Sequence, residues 1–183
     1  MIEEEQLKQA LEGDEEAFTL LYRRRQAGIY RFALQMSGSH SVAEDVTQEV
    51  FLTLIRDGAR YNPRRASLAA YLYGIARNLV LRCLERRKPA DLDAAGAVRS
   101  PSDPAGELER DENIRAVREA VLALPAHYRE VAVLCDLHEM AYEEAATALG
   151  CAVGTVRSRL HRARGLLAEK LRLTGIAYEH SRV

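Results

Sequence analysis

No apolar run long enough to cross a bilayer occurs in the 183-residue chain, although 48% of its residues are hydrophobic. No membrane insertion is expected, and enough apolar side chains remain to build buried cores. The first residues, MIEEEQLKQ, are acidic and lack the basic-then-apolar order of a signal peptide, so a cytoplasmic protein is expected. Cysteine is scarce: Cys83, Cys135 and Cys151 stand far apart, with no CxxC pair. Each reads as a small buried hydrophobe rather than a disulfide partner or metal ligand. The five histidines form no HExxH or comparable cluster, so neither a metal nor a cofactor is expected. No segment alternates with the period of a strand and no internal repeat stands out, which leaves an all-α fold.

A strong overall charge is also missing, but the formal net charge of −1 conceals segregation. Residues 63–90 carry Arg64, Arg65, Arg77, Arg82, Arg86, Arg87 and Lys88 against Glu85 alone. Residues 151–174 carry Arg157, Arg159, Arg162, Arg164, Lys170 and Arg172 against Glu169 alone. The stretch 91–114 between them is acidic. Two separated basic patches with an acidic connector point to two nucleic-acid contacts.

The second patch has internal order. On a helix of about 3.6 residues per turn, Val156, Leu160, Ala163 and Leu167 share one narrow face. Arg157, Ser158, His161, Arg162 and Arg164 fall on the other side, with Arg159 near the edge. Such a helix can be seated on a domain by one face and pushed into a DNA major groove by the other. The preceding residues, AYEEAATALGCA, supply a supporting helix and a tight turn. Ala145 and Ala146 let two helices cross closely, and Gly150 allows the positive φ of a sharp turn. This is the pattern of a helix-turn-helix. The blander reading, a surface helix with solvated arginines, does not account for the agreement of spacing, turn glycine and charge.

Upstream, helices are predicted over 3–11 and 15–36, the second opened by Asp14 as N-cap. Ser37-Gly38-Ser39 breaks the chain, and Ser41 with Glu44 reads as the capping box of a third helix. On that helix Val42, Val46, Val50, Phe51 and Leu54 spread over a broad apolar side. Asp45, Gln48, Glu49 and Arg56 gather opposite, with Leu52 among them. A leucine ringed by acids and amides reads as an interface anchor with a polar rim, against the alternative of a stray exposed leucine. Gly58 ends the helix, a basic loop follows, and Ser67 caps a fourth helix reaching about residue 87. Leu68, Leu72, Ile75, Leu79 and Cys83 are its predicted buried face. Tyr71 and Asn78 share a flank, with Arg77 and Arg82 further round. Rings stack on bases and amides read base edges, so this helix suits unstacked nucleotides.

Pro89 stops the fourth helix. Residues 90–108 contain Gly96, Pro101, Pro104 and Gly106 without periodicity, and read as a flexible acidic linker. Helices over 109–124 and 126–138 then precede the helix-turn-helix, with Leu124, Val131, Val133, Leu134, Leu137 and Leu149 as core. The architecture expected is two small helical domains, 1–89 and 109–175, mobile about their tether, followed by a tail, 176–183.

Three stretches together, AEDVTQEVFLTLIR, SLAAYLYGIARNLVLRCLERR and LPAHYREVAVLCDLHEMAYEEAATALGCAVGTVRSRLHRAR, closely resemble bacterial RNA polymerase sigma factors of the extracytoplasmic-function group, in the sigma-70 family. The resemblance implies a dissociable promoter-specificity subunit, with residues 1–89 as sigma region two and 109–175 as sigma region four. It implies that Asp45, Gln48, Glu49 and Leu52 dock on core RNA polymerase, whose beta and beta-prime subunits would be partners. Tyr71, Arg77, Asn78 and Arg82 would melt and read the minus-ten element of promoter DNA. Arg157, Ser158, His161 and Arg162 would read the minus-thirty-five element, with Thr155 and Arg159 better placed for phosphates. An anti-sigma factor is implied as a further partner. The sequence departs from the family pattern at Tyr71, where tryptophan is usual, and at Ala69 and Ala70, where a basic residue is often found. Gly74 sits in mid-helix, and Ala141 stands where a capping serine is common.

Two other function classes stay open to the residues themselves. A free-standing helix-turn-helix regulator would need neither the basic patch at 63–90 nor the stripe around Leu52. A catalytic nucleic-acid enzyme would need a third ligand beside Asp45 and Glu49, and none is evident.

Overall fold

The computed structural model describes residues 2–86 and 106–173, with side chains over 3–86 and 112–173. The described residues form eight α-helices and no strand. They are α1 (Ile2–Leu11), α2 (Glu15–Ser37), α3 (His40–Asp57), α4 (Leu68–Arg86), α5 (Gly106–Leu122), α6 (Ala126–Ala132), α7 (Tyr142–Leu149) and α8 (Val153–Leu173). Most of the stretch read as a linker lies outside the described residues, as does the expected tail. Residues 106–108, read as linker, stand in the first turn of α5.

Local signals explain most boundaries. The Asp14 carboxylate accepts the N–H groups of Glu16 and Ala17 at 2.9 and 3.0 Å, supplying acceptors to the free donors of α2. Gly38 closes α2 in the left-handed region, φ 69°, with its N–H on the Leu34 carbonyl at 2.7 Å. The cap of α3 is Ser39, whose side chain accepts the Val42 N–H, and not Ser41 as expected. With the cap at Ser39 the third helical residue is Val42, so the capping box with Glu44 does not form. Ser67 caps α4 as read, accepting the Ala70 N–H at 3.2 Å.

Helices α1 to α4 bury Leu21, Ile29, Phe32, Met36, Val50, Leu54 and Leu72 against one another. The buried line of α4 is Leu68, Leu72, Ala76 and Val80, with Ala70 beside it; Ile75, Leu79 and Cys83 are only half-buried. In α5 to α8, α8 buries Val156, Leu160, Ala163, Leu167 and Leu171 on one stripe. Each such valine or leucine contributes about 1.5–3 kcal/mol when fully buried. After Ala132 the chain widens into a π-helical turn over Val133–Leu137. That extra width carries Leu137, expected in the core, to 43% exposure.

The two groups of helices do not stand apart. Their buried side chains form one continuous cluster, against the expectation of free movement about a tether. Helix α4 crosses α7 so closely that a Cβ on Gly74 would sit 3.3 Å from the Ala148 carbonyl oxygen. Leu122, at the end of α5, packs on Gly38. The contact explains why α4 carries a glycine in mid-helix.

Gly150 has φ 63° and nothing within 4 Å of its missing Cβ, so conformation alone requires glycine there. Gly165 is helical with equally open surroundings. Gly150→Ala should lower stability by about 1 kcal/mol through left-handed strain. Gly165→Ala should raise it by up to about 1 kcal/mol. Urea unfolding of the two variants checks the opposite signs.

Candidate functional site

The expected site residues fall on three separate surfaces. On α3, Asp45, Gln48 and Leu52 are exposed and Glu49 is half-buried, all along one side of the helix. The other side, through Val42, Val46, Val50 and Leu54, is buried and fixes the orientation of the helix. Leu52 is 49% exposed, and Ile55, which the sequence reading passed over, is 54% exposed three residues on. The exposed surface is therefore two apolar side chains beside carboxylates and an amide.

On α8 the buried stripe turns Arg157, Ser158, His161 and Arg162 outward. Thr155 and Arg159 are half-buried. The Arg157 guanidinium lies 6.0 Å from the centre of the Tyr142 ring, a cation–π contact that steadies it at the edge of the face. Ser158 returns its hydroxyl to the Thr155 carbonyl at 3.1 Å. Arg164, grouped by periodicity with the outward arginines, instead bonds Asp136 through Nε and Nη2 at 3.1 and 2.6 Å. It ties α8 to the turn after α6.

The third surface, on α4, is engaged. Tyr71 is half-buried with its ring 5.3 Å from that of Tyr61, and burial raises its phenol pKa. Asn78 and Arg82 are exposed, Arg82 bonding back to the Asn78 carbonyl at 3.3 Å. Arg77 is engaged in an ion pair while keeping 24% of its side-chain exposure. Its Nε donates to Glu130 Oε2 at 2.6 Å and its Nη2 to Oε1 at 3.3 Å. Glu130, on α6, is 1% exposed and also meets Arg159 Nη1 at 3.5 Å. One buried carboxylate thus holds an arginine from each of the two predicted DNA-reading helices.

Other residues absent from the sequence reading complete this junction. The Ser67 hydroxyl donates to Glu144 Oε1 at 2.6 Å. Arg129 donates to the carbonyls of Leu122, Leu124 and Met36, bringing a guanidinium to the C-terminal ends of α5 and α2. His138 sits between Tyr73 and Gln35 with ring nitrogens 2.9 Å from each. With the ring neutral and Nε2 donating to the Gln35 oxygen, Nδ1 is left to accept the Tyr73 proton. Glu130 leaves one trace in the sequence, as a lone acid inside the apolar run REVAVL. The partners of Ser67 and His138 leave none.

No cluster of metal ligands occurs among the described residues. The cysteines are free and half-buried; burial first, then Asp136, pushes the Cys135 thiol up to about 11. Among the described residues no helix is long and apolar enough to cross a membrane.

Burial, then the charge of Arg31, pushes His138 down from its ordinary 6.5 to about 4. The unfolded chain therefore takes up this proton before the folded one does. Its stabilising effect is complete above pH 6.5 and is lost as pH falls toward about 4. Melting temperature should drop through that window in the parent chain, and drop less in His138→Gln.

Comparison with known proteins places these surfaces in context. The family model described as sigma-70 region 2 matches residues 21–89, and that described as sigma-70 region 4 matches 114–167. The chain is 36% identical over 160 residues to an ECF RNA polymerase sigma factor, SigE, of Mycolicibacterium smegmatis, covering 82% of this chain and 60% of that one. To SigW of Bacillus subtilis it is 30% identical over 184 residues, covering 94% and 98%. To the sigma-E factor of Escherichia coli it is 33% identical over 173 residues, covering 87% and 88%. Among solved structures, CnrH in complex with the cytosolic domain of CnrY is similar with a TM-score of 0.73 at 26% identity, covering 94% and 99%. The sigma factor RpoE of Bartonella quintana, in complex with the anti-sigma factor NepR, gives 0.66 at 28%, covering 85% and 97%.

Proposed function

The chain belongs to the extracytoplasmic-function group of the sigma-70 family, and we propose from that premise that it is a promoter-specificity subunit of bacterial RNA polymerase. It binds core polymerase, directs initiation at particular promoters and is controlled by an anti-sigma factor. The observation that carries this is the occurrence of both matched regions, in order, on one chain whose relatives are ECF sigma factors along most of their length. A free-standing regulator leaves the region-two match and the apolar spot on α3 without a purpose. The chain carries out no catalysis of its own, and its place of action is the cytoplasm, where polymerase and promoter meet.

The finer assignments form part of the same proposal. Residues 1–89 act as region two and 109–175 as region four. Asp45, Gln48, Glu49 and Leu52 dock on core polymerase, through its beta and beta-prime subunits. A leucine with a polar rim concentrates binding energy in one desolvated anchor. Arg157, Ser158, His161 and Arg162 read the minus-thirty-five duplex, while Thr155 and Arg159 approach phosphates. Each well-placed bidentate arginine on guanine discriminates by about 1–3 kcal/mol. Tyr71, Arg77, Asn78 and Arg82 receive the melted minus-ten strand, where stacking contributes about 1–3 kcal/mol per base. Two modest DNA readers suffice because docking on polymerase makes the second contact intramolecular.

Run-off transcription with sigma-free bacterial core polymerase on a genomic fragment library tests the proposal. Discrete transcripts should depend on this chain and vanish with Leu52→Asp, whose helical content should stay unchanged. DNA binding without core, and no transcripts with it, would return the assignment to a free-standing regulator. Arg157→Ala and Arg162→Ala should each weaken minus-thirty-five discrimination by about tenfold with core affinity intact. Unchanged promoter preference would remove the recognition-helix assignment.

A further inference from the structure

We propose that Tyr142, on the supporting helix α7, is a specificity-determining positioning residue: its ring holds the Arg157 guanidinium in place to read one base pair of the minus-thirty-five duplex, and takes up none of the donors that do the reading. The inference rests on the reading of α8 as the duplex-reading helix.

The arginines of α8 are held in different ways. Arg159 and Arg164 give N–H donors to carboxylates, to Glu130 at 3.5 Å and to Asp136 at 3.1 and 2.6 Å. A donor engaged by a carboxylate is not free for a base. Arg157 is exposed, and its guanidinium carbon stands over the Tyr142 ring at 6.0 Å from the centre. A ring attracts the charge of a guanidinium through its quadrupole and needs no N–H donor. The planar fork that meets guanine O6 and N7 therefore stays whole.

Both partners of this contact are anchored from behind. Tyr142 opens α7 with no side-chain cap at Ala141, and its half-buried ring packs against the hydrophobic core of the chain. Arg157 follows Val156, which is completely buried and fixes the α8 backbone beneath it. The long arginine side chain is thus held at its backbone by α8 and at its charged end by α7. A side chain ordered beforehand loses less freedom on binding, so the duplex that matches its position gains affinity. A duplex with the wrong base pair there gains nothing, and that difference is specificity. Arg162 has its side-chain hydrogen bond with Tyr128 of α6 instead, so the base pair it reads serves as an internal control.

Holoenzyme assembled from core polymerase and the full chain provides the test, by its affinity for labelled promoter duplexes that each carry one replaced base pair in the minus-thirty-five element. Arg157→Ala and Arg162→Ala first identify the base pair that each arginine reads. Tyr142→Leu should lower discrimination at the Arg157 pair by about two- to fivefold, through weaker binding of the matching duplex, and leave the Arg162 pair unchanged. Tyr142→Phe keeps the ring and should keep the parent discrimination at both. In an Arg157→Ala background Tyr142→Leu should have no further effect at that pair. Should Tyr142→Leu fail to fold, proton NMR of the parent chain decides. Arg157 side-chain signals, assigned by their loss in Arg157→Ala, should be displaced by the ring current in the free chain and stay displaced with duplex bound.

Equal loss at both base pairs would make Tyr142 a support of the domain and overturn the positioning role. A loss in Tyr142→Phe as large as in Tyr142→Leu would assign the effect to the hydroxyl, and overturns it too, as do undisplaced Arg157 signals. No change of discrimination at any base pair in Arg157→Ala would instead overturn the reading of α8 on which the proposal rests.

Discussion

A carboxylate with almost no access to water sits between two guanidiniums that come from different ends of the chain. Desolvating Glu130 is costly, and only the pairing with Arg77 and Arg159 offsets it. Removing one partner of such a buried pair typically costs about 3–5 kcal/mol, although the intact pair adds little net stability. Its effect is on arrangement rather than on total stability. Any displacement of α6 from α4 or from α8 leaves the charge short of a partner. The other contacts across the junction agree with that placement: Arg129 on the end of α2, Ser67 on Glu144, His138 between Tyr73 and Gln35.

Around this junction, each of the three candidate surfaces is presented by a helix with a buried side. Core residues thus decide orientation, and surface residues decide partner. Helix α3 turns Leu52 and its rim outward because Val42, Val46, Val50 and Leu54 cannot be exposed cheaply. Helix α8 does the same with its arginines. Helix α4 differs, since it is covered on two sides, by α2 and α3 and by α7. Its glycine costs about 1 kcal/mol of helix propensity relative to alanine and is compensated by the close approach of α7.

Legibility followed the range of the interaction. Side chains bonding to backbone two or three residues away announced themselves, as Asp14 and Ser67 did. Ser39 and Ser41 are chemically equal cap candidates two residues apart, and Ser39 takes the role. Helical period located Val156, Leu160, Ala163 and Leu167 of the buried stripe of α8, which the structure extends by one turn to Leu171. On α4 it was offset, because Ala70 and Ala76 are buried by the approach of neighbouring helices rather than by their own hydrophobicity. Leu137 left the core through a π-helical turn, which has no apolar signature in the sequence.

The sequence by itself determined the all-α fold, most helix boundaries, the helix-turn-helix and the family, because period, capping and ordered motifs are local properties of the chain. Only the tertiary structure decided that Arg77 and Arg159 share Glu130, that Gly74 marks a crossing, and that His138 bridges the two halves. Those facts join residues up to about a hundred positions apart, such as Gln35 and His138. Helical spacing carries no information over that distance. The burial that makes a charge dependent on its partners arises only once the helices have packed.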